Sequence, residues 1–171
     1  YDVWARDGWL MTTPGRSISY DHVAEFVGRL TGEYDVQALV FDAWNINHLR
    51  AAATRVGLDL AEDADGCGIP TIAFGQGYRS MSPAISAFER SIELGTFAHP
   101  GYPVLTFCVS NVVVTTDAAG NRKMDKSKAR FRIDGAVAAT WARPSRASAT
   151  SFDTVVSAAA RKAAGSSGAV P

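Results

Sequence analysis

Short apolar runs bounded by polar residues predict the strands of this chain. The runs at 36–41 and 69–74 are mostly β-branched or apolar, which is typical of strands buried on both faces of a parallel sheet. A third run, at 9–12, follows an Asp7-Gly8 turn and stops at Pro14-Gly15. We therefore expect three strands here, with the one at 36–41 in a central position of the sheet.

Helices are predicted where apolar residues recur every three or four positions. The stripe that starts at Val23 has this spacing, and Ser19 precedes it as a candidate N-cap. Ser82-Pro83 is a favourable helix start, because proline is tolerated at the first helical position. Residues 59–68 are expected to form a surface excursion, and residues 104–114 suit either a helix or a strand. The predicted helices cover residues 19–32, 45–57, 82–95 and 135–142, and their alternation with strands predicts an α/β fold.

The composition is that of an ordinary globular domain. Of 171 residues, 47% are hydrophobic and 20% are charged, which is enough for a real core. No apolar stretch reaches the roughly 18–20 residues needed to span a bilayer, so no membrane association is predicted. Cys67 and Cys108 have no metal-ligand spacing, and a reduced, cytoplasmic setting is the expectation. The chain opens on Tyr1 rather than Met, so we interpret it as a piece of a longer protein, and without a charged-then-apolar leader nothing indicates secretion.

Composition and charge both change toward the C-terminus. A shift to Ser, Ala and Arg divides the chain into a folded domain at 1–143 and a tail at 144–171, with a weak helix before a disordered end. Residues 1–121 carry seven Lys/Arg and fourteen Asp/Glu, whereas residues 122–171 carry ten Lys/Arg and three Asp. An acidic body with a basic C-terminal third suits a polyanionic partner, although it also suits a tail that is merely solvated.

Two carboxylates stand where apolar segments end. Asp42 closes the 36–41 run, and the carboxyl edge of a parallel sheet is where open α/β folds bind their ligands. Asp134 likewise follows an apolar residue and precedes small ones. If the two meet at one sheet edge, their oxygens could hold divalent cations for a phosphodiester displacement. The alternatives are structural: a helix cap at Asp42, and at Asp134 an N-cap or an ion pair with Arg132.

A basic stretch leads directly to Asp134. Its cations alternate with smaller or apolar residues, so an extended strand would place all of them on one face. Such a face suits contacts with the phosphate backbone of DNA, which bring no sequence information. The alternative is a solvated edge strand that uses charge to avoid aggregation. The four cations are Lys126, Lys128, Arg130 and Arg132.

Several other kinds of site are missing from the sequence. None of the three histidines lies at ligand spacing from a cysteine or another histidine. There is no G-x-S-x-G nucleophile elbow and no G-x-x-x-x-G-K-[ST] phosphate loop, which argues against a serine hydrolase of that type and against an ATPase in this chain. Gly75 and Gly77 lack the third glycine of a dinucleotide fingerprint.

Several short motifs follow one another in a specific order over most of residues 4–143. They are WLMTTPG at 9–15, VFDAW at 40–44, GQG at 75–77 with MSP at 81–83, HPGYPV at 99–104, NVVV at 111–114 with DAAGN at 117–121, Lys126, and IDGAVA at 133–138. In this order and spacing the chain resembles the nuclease domain of tailed-phage terminase large subunits. Those proteins cut concatemeric DNA and drive it into the capsid.

The resemblance implies a ribonuclease H-like fold, a mixed sheet flanked by helices, with a two-metal site that binds Mg²⁺ or Mn²⁺. It implies that Asp42 and Asp134 are the metal ligands and catalytic residues, and that Lys126 contacts DNA near them. It also favours a helix at 104–110 and a strand at 112–116. The family's first acidic ligand lies on an upstream opening strand, so we expect a fold that is incomplete at its N-terminus and a fragment that is weakly active or inactive alone.

The leading hypothesis is therefore a Mg²⁺- or Mn²⁺-dependent DNA endonuclease domain of a packaging terminase in the cytoplasm of a host bacterium. Its expected partners are double-stranded DNA, a terminase ATPase domain in the same full-length chain, the small terminase subunit and the capsid portal. One alternative is a non-catalytic DNA-binding or assembly module of the packaging motor. Another is a different ribonuclease H-like nuclease, such as a resolvase or transposase.

Overall fold

The chain folds as alternating helices and strands in two compact units. The computed structural model describes residues 1–13, 15, 17–42, 46–61 and 66–142. One unit is formed by residues 11–75, and the other joins residues 1–10 to the chain from residue 76 onward. The predicted α/β class is confirmed. In chain order the elements are α1 (Asp2–Arg6), α2 (Tyr20–Glu33), β1 (Leu39–Phe41), α3 (Ile46–Arg55), β2 (Leu60–Ala61), β3 (Ile69–Ala73), α4 (Tyr78–Glu93), α5 (Pro103–Ser110), β4 (Val114–Thr116), β5 (Arg122–Met124) and α6 (Asp134–Trp141).

The strands of the 11–75 unit form a parallel sheet in the order β1-β3-β2. β3 pairs with both neighbours, with Leu39 opposite Thr71 and Leu60 opposite Ile69. The prediction of a buried central strand at 36–41 is wrong, because β1 is an edge strand of the described sheet and its side chains are only half-buried. An apolar run indicates burial of side chains but not the number of neighbouring strands. The second such run forms the central strand, β3.

Helices α2 and α3 pack closely because small side chains lie between them. α2 begins as predicted, since the Ser19 hydroxyl accepts a hydrogen bond from the His22 amide at 3.4 Å. α3 ends before Gly57, whose φ of 73° is the left-handed conformation that often terminates a helix. The buried residues between the two helices are Ala24, Ala52 and Ala53.

The surface excursion predicted at 59–68 contains a short strand, β2. The Ile69 amide donates to the Asp59 carbonyl at 2.9 Å, and the Thr71 hydroxyl donates to the Ala61 carbonyl at 2.7 Å. Gly68 has a φ of 105°, and a Cβ there would lie 2.7 Å from the Asp59 carbonyl oxygen. Only glycine permits this approach, which brings the chain back into register for β3.

In the other unit, β4 and β5 form an antiparallel hairpin. Its turn is the one predicted at 117–121, where the Asp117 carboxylate accepts hydrogen bonds from the amides of Ala119 at 2.9 Å and Asn121 at 2.8 Å. α6 packs against α4 and α5. The buried residues of these helices are Met81, Ala84, Ile85, Phe88 and Ser91 of α4, Cys108 of α5, and Ala136, Val137, Thr140 and Trp141 of α6.

α4 begins at Tyr78, four residues before the predicted start at Ser82. Pro83 therefore lies inside the helix, where it removes one backbone hydrogen bond, and burial of the surrounding apolar face outweighs that loss. The helix ends as predicted before Gly95, which has a φ of 66°. The ambiguous run at 104–114 lies largely in α5 and reaches β4 at its last residue, much as the resemblance implied.

The strand predicted at 9–12 is wrong. Trp9 and Leu10 follow the predicted turn, but their amides both donate to the Trp4 carbonyl of α1, at 2.7 and 3.0 Å. The Trp9 ring packs edge-to-face on Tyr102 with 5.1 Å between ring centroids. Trp9 therefore contributes to aromatic packing rather than to a sheet.

Some predictions concern residues that lie outside the described part of the chain. These include the C-terminal tail at 144–171 and the capping residue Asn45. Among the described residues, no helix is long and apolar enough to cross a membrane.

Candidate functional site

Asp42 directly follows β1 at the carboxyl edge of the parallel sheet. The sheet pairing continues to this point, because the Phe74 amide donates to the Phe41 carbonyl at 2.8 Å. The Asp42 residue is half-buried. It therefore occupies the strand-end position at which open α/β sheets present ligand-binding side chains.

Asp134 is the first residue of α6 and belongs to the other unit. It is not the N-cap, because Ile133 holds that position and no side chain caps the helix. Ile133 is almost completely buried, whereas 61% of the Asp134 side chain is exposed. A carboxylate in the first turn is also stabilised by the positive end of the helix dipole. The helix start thus has an anchored residue beside a solvent-facing carboxylate.

The ion-pair partner of Asp134 is Lys126. Its ammonium nitrogen lies 2.7 Å from Asp134 Oδ1. The pairing predicted as an alternative, with Arg132, is absent among the described ion pairs. A basic residue therefore lies beside the carboxylate.

The extended strand predicted at 126–132 is wrong, because β5 ends at Met124 and a turn follows. The Asp125 carboxylate accepts hydrogen bonds from the Ser127 hydroxyl at 2.6 Å and the Ser127 amide at 3.0 Å. Those bonds favour the ionised carboxylate and lower the pKa of Asp125, and Lys123 and Lys128 add attraction. The cations are consequently distributed over a turn and a loop rather than along one face of a strand.

Three of the predicted cations remain exposed without an ion pair to any described carboxylate: Lys128, Arg130 and Arg132. The Arg130 guanidinium lies 5.3 Å from the centre of the Phe131 ring, at cation–π distance. Phe131 is itself 45% exposed and contacts Phe107. This basic loop, residues 126–132, thus presents positive charge and one aromatic ring to solvent.

Two further cations, both in β5 of the β4–β5 hairpin, were not singled out from the sequence. Arg122 makes a bidentate ion pair with Glu89 of α4. The Lys123 ammonium lies 4.9 Å from the centre of the Tyr78 ring. Both partners lie on α4, more than thirty residues away in the chain, so no local spacing indicates either contact.

The donor chemistry of Asp42 and Asp134 fits Mg²⁺ or Mn²⁺, because hard divalent cations prefer carboxylate oxygens. Within the described residues, however, no group of three or more His, Cys, Asp and Glu side chains could hold a metal ion.

Comparison with known proteins identifies the family. Residues 1–146 match the family model described as "Terminase large subunit, endonuclease domain". The chain belongs to this family. The resemblance inferred from the order of the motifs is thereby confirmed.

Known proteins match along most of this chain. The large terminase subunit of Enterobacteria phage HK97 is 45% identical over 140 residues, which cover 82% of this chain and 26% of that protein. Protein YmfN of Escherichia coli strain K12 is 29% identical over 140 residues, which cover 81% of this chain and 28% of that protein. The chain thus spans about a quarter of the length of these relatives.

The fold also matches a solved terminase. The crystal structure of the HK97 bacteriophage large terminase aligns with a TM-score of 0.71 and 44% sequence identity. The alignment covers 81% of this chain and 27% of the crystallised chain. A mixed α/β nuclease domain is therefore the architecture of this family member.

Proposed function

We propose that this terminase nuclease domain cuts double-stranded DNA with the help of Mg²⁺ or Mn²⁺. The observation that best supports the proposal is the position of Asp42, a half-buried carboxylate at the carboxyl edge of a parallel sheet in a member of an endonuclease family. Asp134, exposed at the start of α6, is the second proposed ligand and catalytic residue. The two lie in motifs that identified the family in the sequence.

Each group has a distinct role in the proposed reaction. Asp42 and Asp134 would hold the cations through their carboxylate oxygens. When bound, paired divalent cations stabilise charge on the attacking and leaving oxygens of a phosphodiester. Burial of Ile133 anchors the backbone at the start of α6, from which the exposed Asp134 side chain extends.

The basic loop is the proposed DNA contact. Lys128, Arg130 and Arg132 are exposed, and neutralising phosphates with such cations favours binding by release of counterions. Lys126 joins them as a proposed phosphate ligand when it leaves Asp134. Because these contacts would be to the backbone, binding should depend strongly on salt and weakly on sequence.

The test is cleavage of supercoiled plasmid DNA by the 171-residue chain and by a chain extended to the length of the relatives. We expect Asp42→Asn and Asp134→Asn each to lower the Mg²⁺- or Mn²⁺-dependent cleavage rate by at least about a hundredfold. Losses of this size are typical when an enzyme loses one group that stabilises charge in the transition state. Asp35→Asn, an exposed aspartate just before β1, is the matched control and should cleave normally. Circular dichroism establishes that all variants fold. Cleavage that survives both substitutions would refute the assignment.

A non-catalytic DNA-binding module remains the second candidate. It is favoured by the exposed cations of the basic loop, Lys128, Arg130 and Arg132, which suit phosphate contacts that need no metal. On this alternative, DNA binding depends on salt, and Mg²⁺ changes neither binding nor the integrity of the plasmid in either length of chain. For both candidates we propose packaging partners in a host bacterium: an ATPase domain of the same polypeptide, a small terminase subunit and a capsid portal.

A further inference from the structure

We propose that Lys126 is an exchangeable counter-ion of Asp134, which a divalent cation displaces from the carboxylate. The inference rests on the proposed function, because it takes Asp134 as a metal ligand. The Lys126 ammonium lies 2.7 Å from Asp134 Oδ1, and at that distance it offsets the negative charge that would attract a divalent cation to this carboxylate. Lysine and metal therefore compete for one carboxylate.

The pair is built so that exchange requires little rearrangement. The Lys126 and Asp134 side chains are 43% and 61% exposed, and ion pairs this accessible to water are weak. The backbone of the lysine is held in place by the hydrogen bonds between Asp125 and Ser127. The four-carbon stem lets the ammonium move while this turn stays in position.

Exchange would also connect metal binding to DNA binding. Once displaced, the Lys126 ammonium is a free cation in the same loop as Lys128 and Arg130, where a phosphate can take it up. A phosphate that takes up Lys126 in turn releases Asp134 for the metal. Such coupling is reciprocal, so DNA should raise the affinity for metal by the same factor as metal raises the affinity for DNA.

The experiment is a Mn²⁺ titration of the 171-residue chain and of the chain extended to the length of the relatives, followed by the paramagnetic resonance signal of free Mn²⁺. Lys126→Met keeps the length of the side chain but removes its charge, and it should raise the Mn²⁺ affinity about two- to fivefold, the range expected for loss of one exposed ion pair. Lys126→Arg keeps the positive charge, so its Mn²⁺ affinity should equal that of the unchanged chain. The matched control is Lys123→Met, which removes the same charge from a lysine that lies over the Tyr78 ring instead, and it should leave the affinity unchanged.

The outcomes separate failure of this inference from failure of the proposed function. If Asp134→Asn weakens Mn²⁺ binding but Lys126→Met does not strengthen it, Asp134 is a ligand and the competition is refuted. Equal strengthening by Lys126→Met and Lys123→Met also refutes it, because general charge then explains the effect. If Asp134→Asn leaves Mn²⁺ binding unchanged, or no variant of either length binds Mn²⁺, the metal role of Asp134 fails and the inference fails with it.

Discussion

Arg122 and Glu89 join the β4–β5 hairpin to α4 through two hydrogen bonds, of 2.8 and 2.7 Å, between the guanidinium and both carboxylate oxygens. The same guanidinium also donates to the Ser86 hydroxyl at 3.0 Å. The hydrogen bonds to Glu89 favour the charged guanidinium and raise the pKa of Arg122. This contact fixes the first residue of β5, the strand that leads into the basic loop.

The bidentate geometry predicts a measurable coupling between these two residues. In a double-mutant cycle with Arg122→Met and Glu89→Gln, we expect a coupling energy of about 0.5–1 kcal/mol, the upper part of the range for exposed pairs. The free energy of unfolding is measured by urea denaturation at low and high salt. High salt should reduce the coupling, since both side chains are partly exposed.

The Arg55–Asp21 pair of the other unit is the matched control for that cycle. Its guanidinium contacts only one carboxylate oxygen, and both side chains are at least half exposed. A smaller coupling energy is therefore expected from Arg55→Met and Asp21→Asn. If the two cycles give equal values, the bidentate geometry adds no stability.

Asp117 is expected to make the stability of the hairpin depend on pH. A hydrogen bond from the Asn121 side chain, supported by the backbone amides of Asn121 and Ala119, lowers the pKa of Asp117 from its ordinary 3.8. The ionised carboxylate therefore stabilises the fold above the unfolded pKa, and this contribution is lost as the pH falls through the folded pKa. Asp117→Ala should lower Tm at a pH of about 7 and have a smaller effect at a pH of about 2.

Thermal unfolding of the Asp117 variant across pH is compared with that of Asp35→Ala, an exposed aspartate outside the hairpin. The Asp35 control should show no comparable change with pH. An equal loss of Tm by Asp117→Ala at both pH values would mean that the geometry of the turn, rather than the charge of the carboxylate, provides the stability.

The helices could be predicted from the sequence because their signals are local. Ser19 caps α2, and glycines with positive φ lie just beyond α3 and α4, all within one turn of the residues they affect. The neighbours of a strand are not a local property. The apolar runs of β1 and β3 look alike in sequence, and the pairing that makes β3 central depends on β2, which the polar stretch at 59–68 concealed.

In the candidate site, as in the fold, the contacts between residues separated in sequence were not predictable, and one local feature was predicted wrongly. Alternating charge suggested a strand at 126–132, but the hydrogen bonds from Ser127 to Asp125 form a turn that ends the strand first. In the structure, Asp42 follows β1 and Asp134 begins α6. The pairing of Lys126 with Asp134 was not predicted, because it depends on how the loop returns to the start of α6.

The basic loop should set the salt dependence of DNA binding. Lys128→Ala is expected to weaken binding to unrelated duplexes equally and to reduce the slope of log affinity against log salt by about 0.9, the loss of one phosphate contact. Fluorescence anisotropy with two duplexes over a salt series measures both quantities. Arg55→Ala removes an arginine already paired with Asp21 and should leave the slope unchanged. A loss confined to one duplex would instead indicate contact with bases.

Burial of Ile133 is expected to hold the start of α6. Only 1% of this residue is exposed, so Ile133→Ala should lower the free energy of unfolding by about 2–4 kcal/mol, through lost burial and a residual cavity. Ile133→Val, which removes one methylene group, should cost about 0.5–1.5 kcal/mol and is the graded control. Urea denaturation measures both values. Because Asp134 is the next residue, we also measure the Mn²⁺ affinity of the Val variant, which should equal that of the unchanged chain. If the affinity falls while the free energy of unfolding does not, Ile133 has a role in positioning the Asp134 carboxylate that is separate from its role in packing.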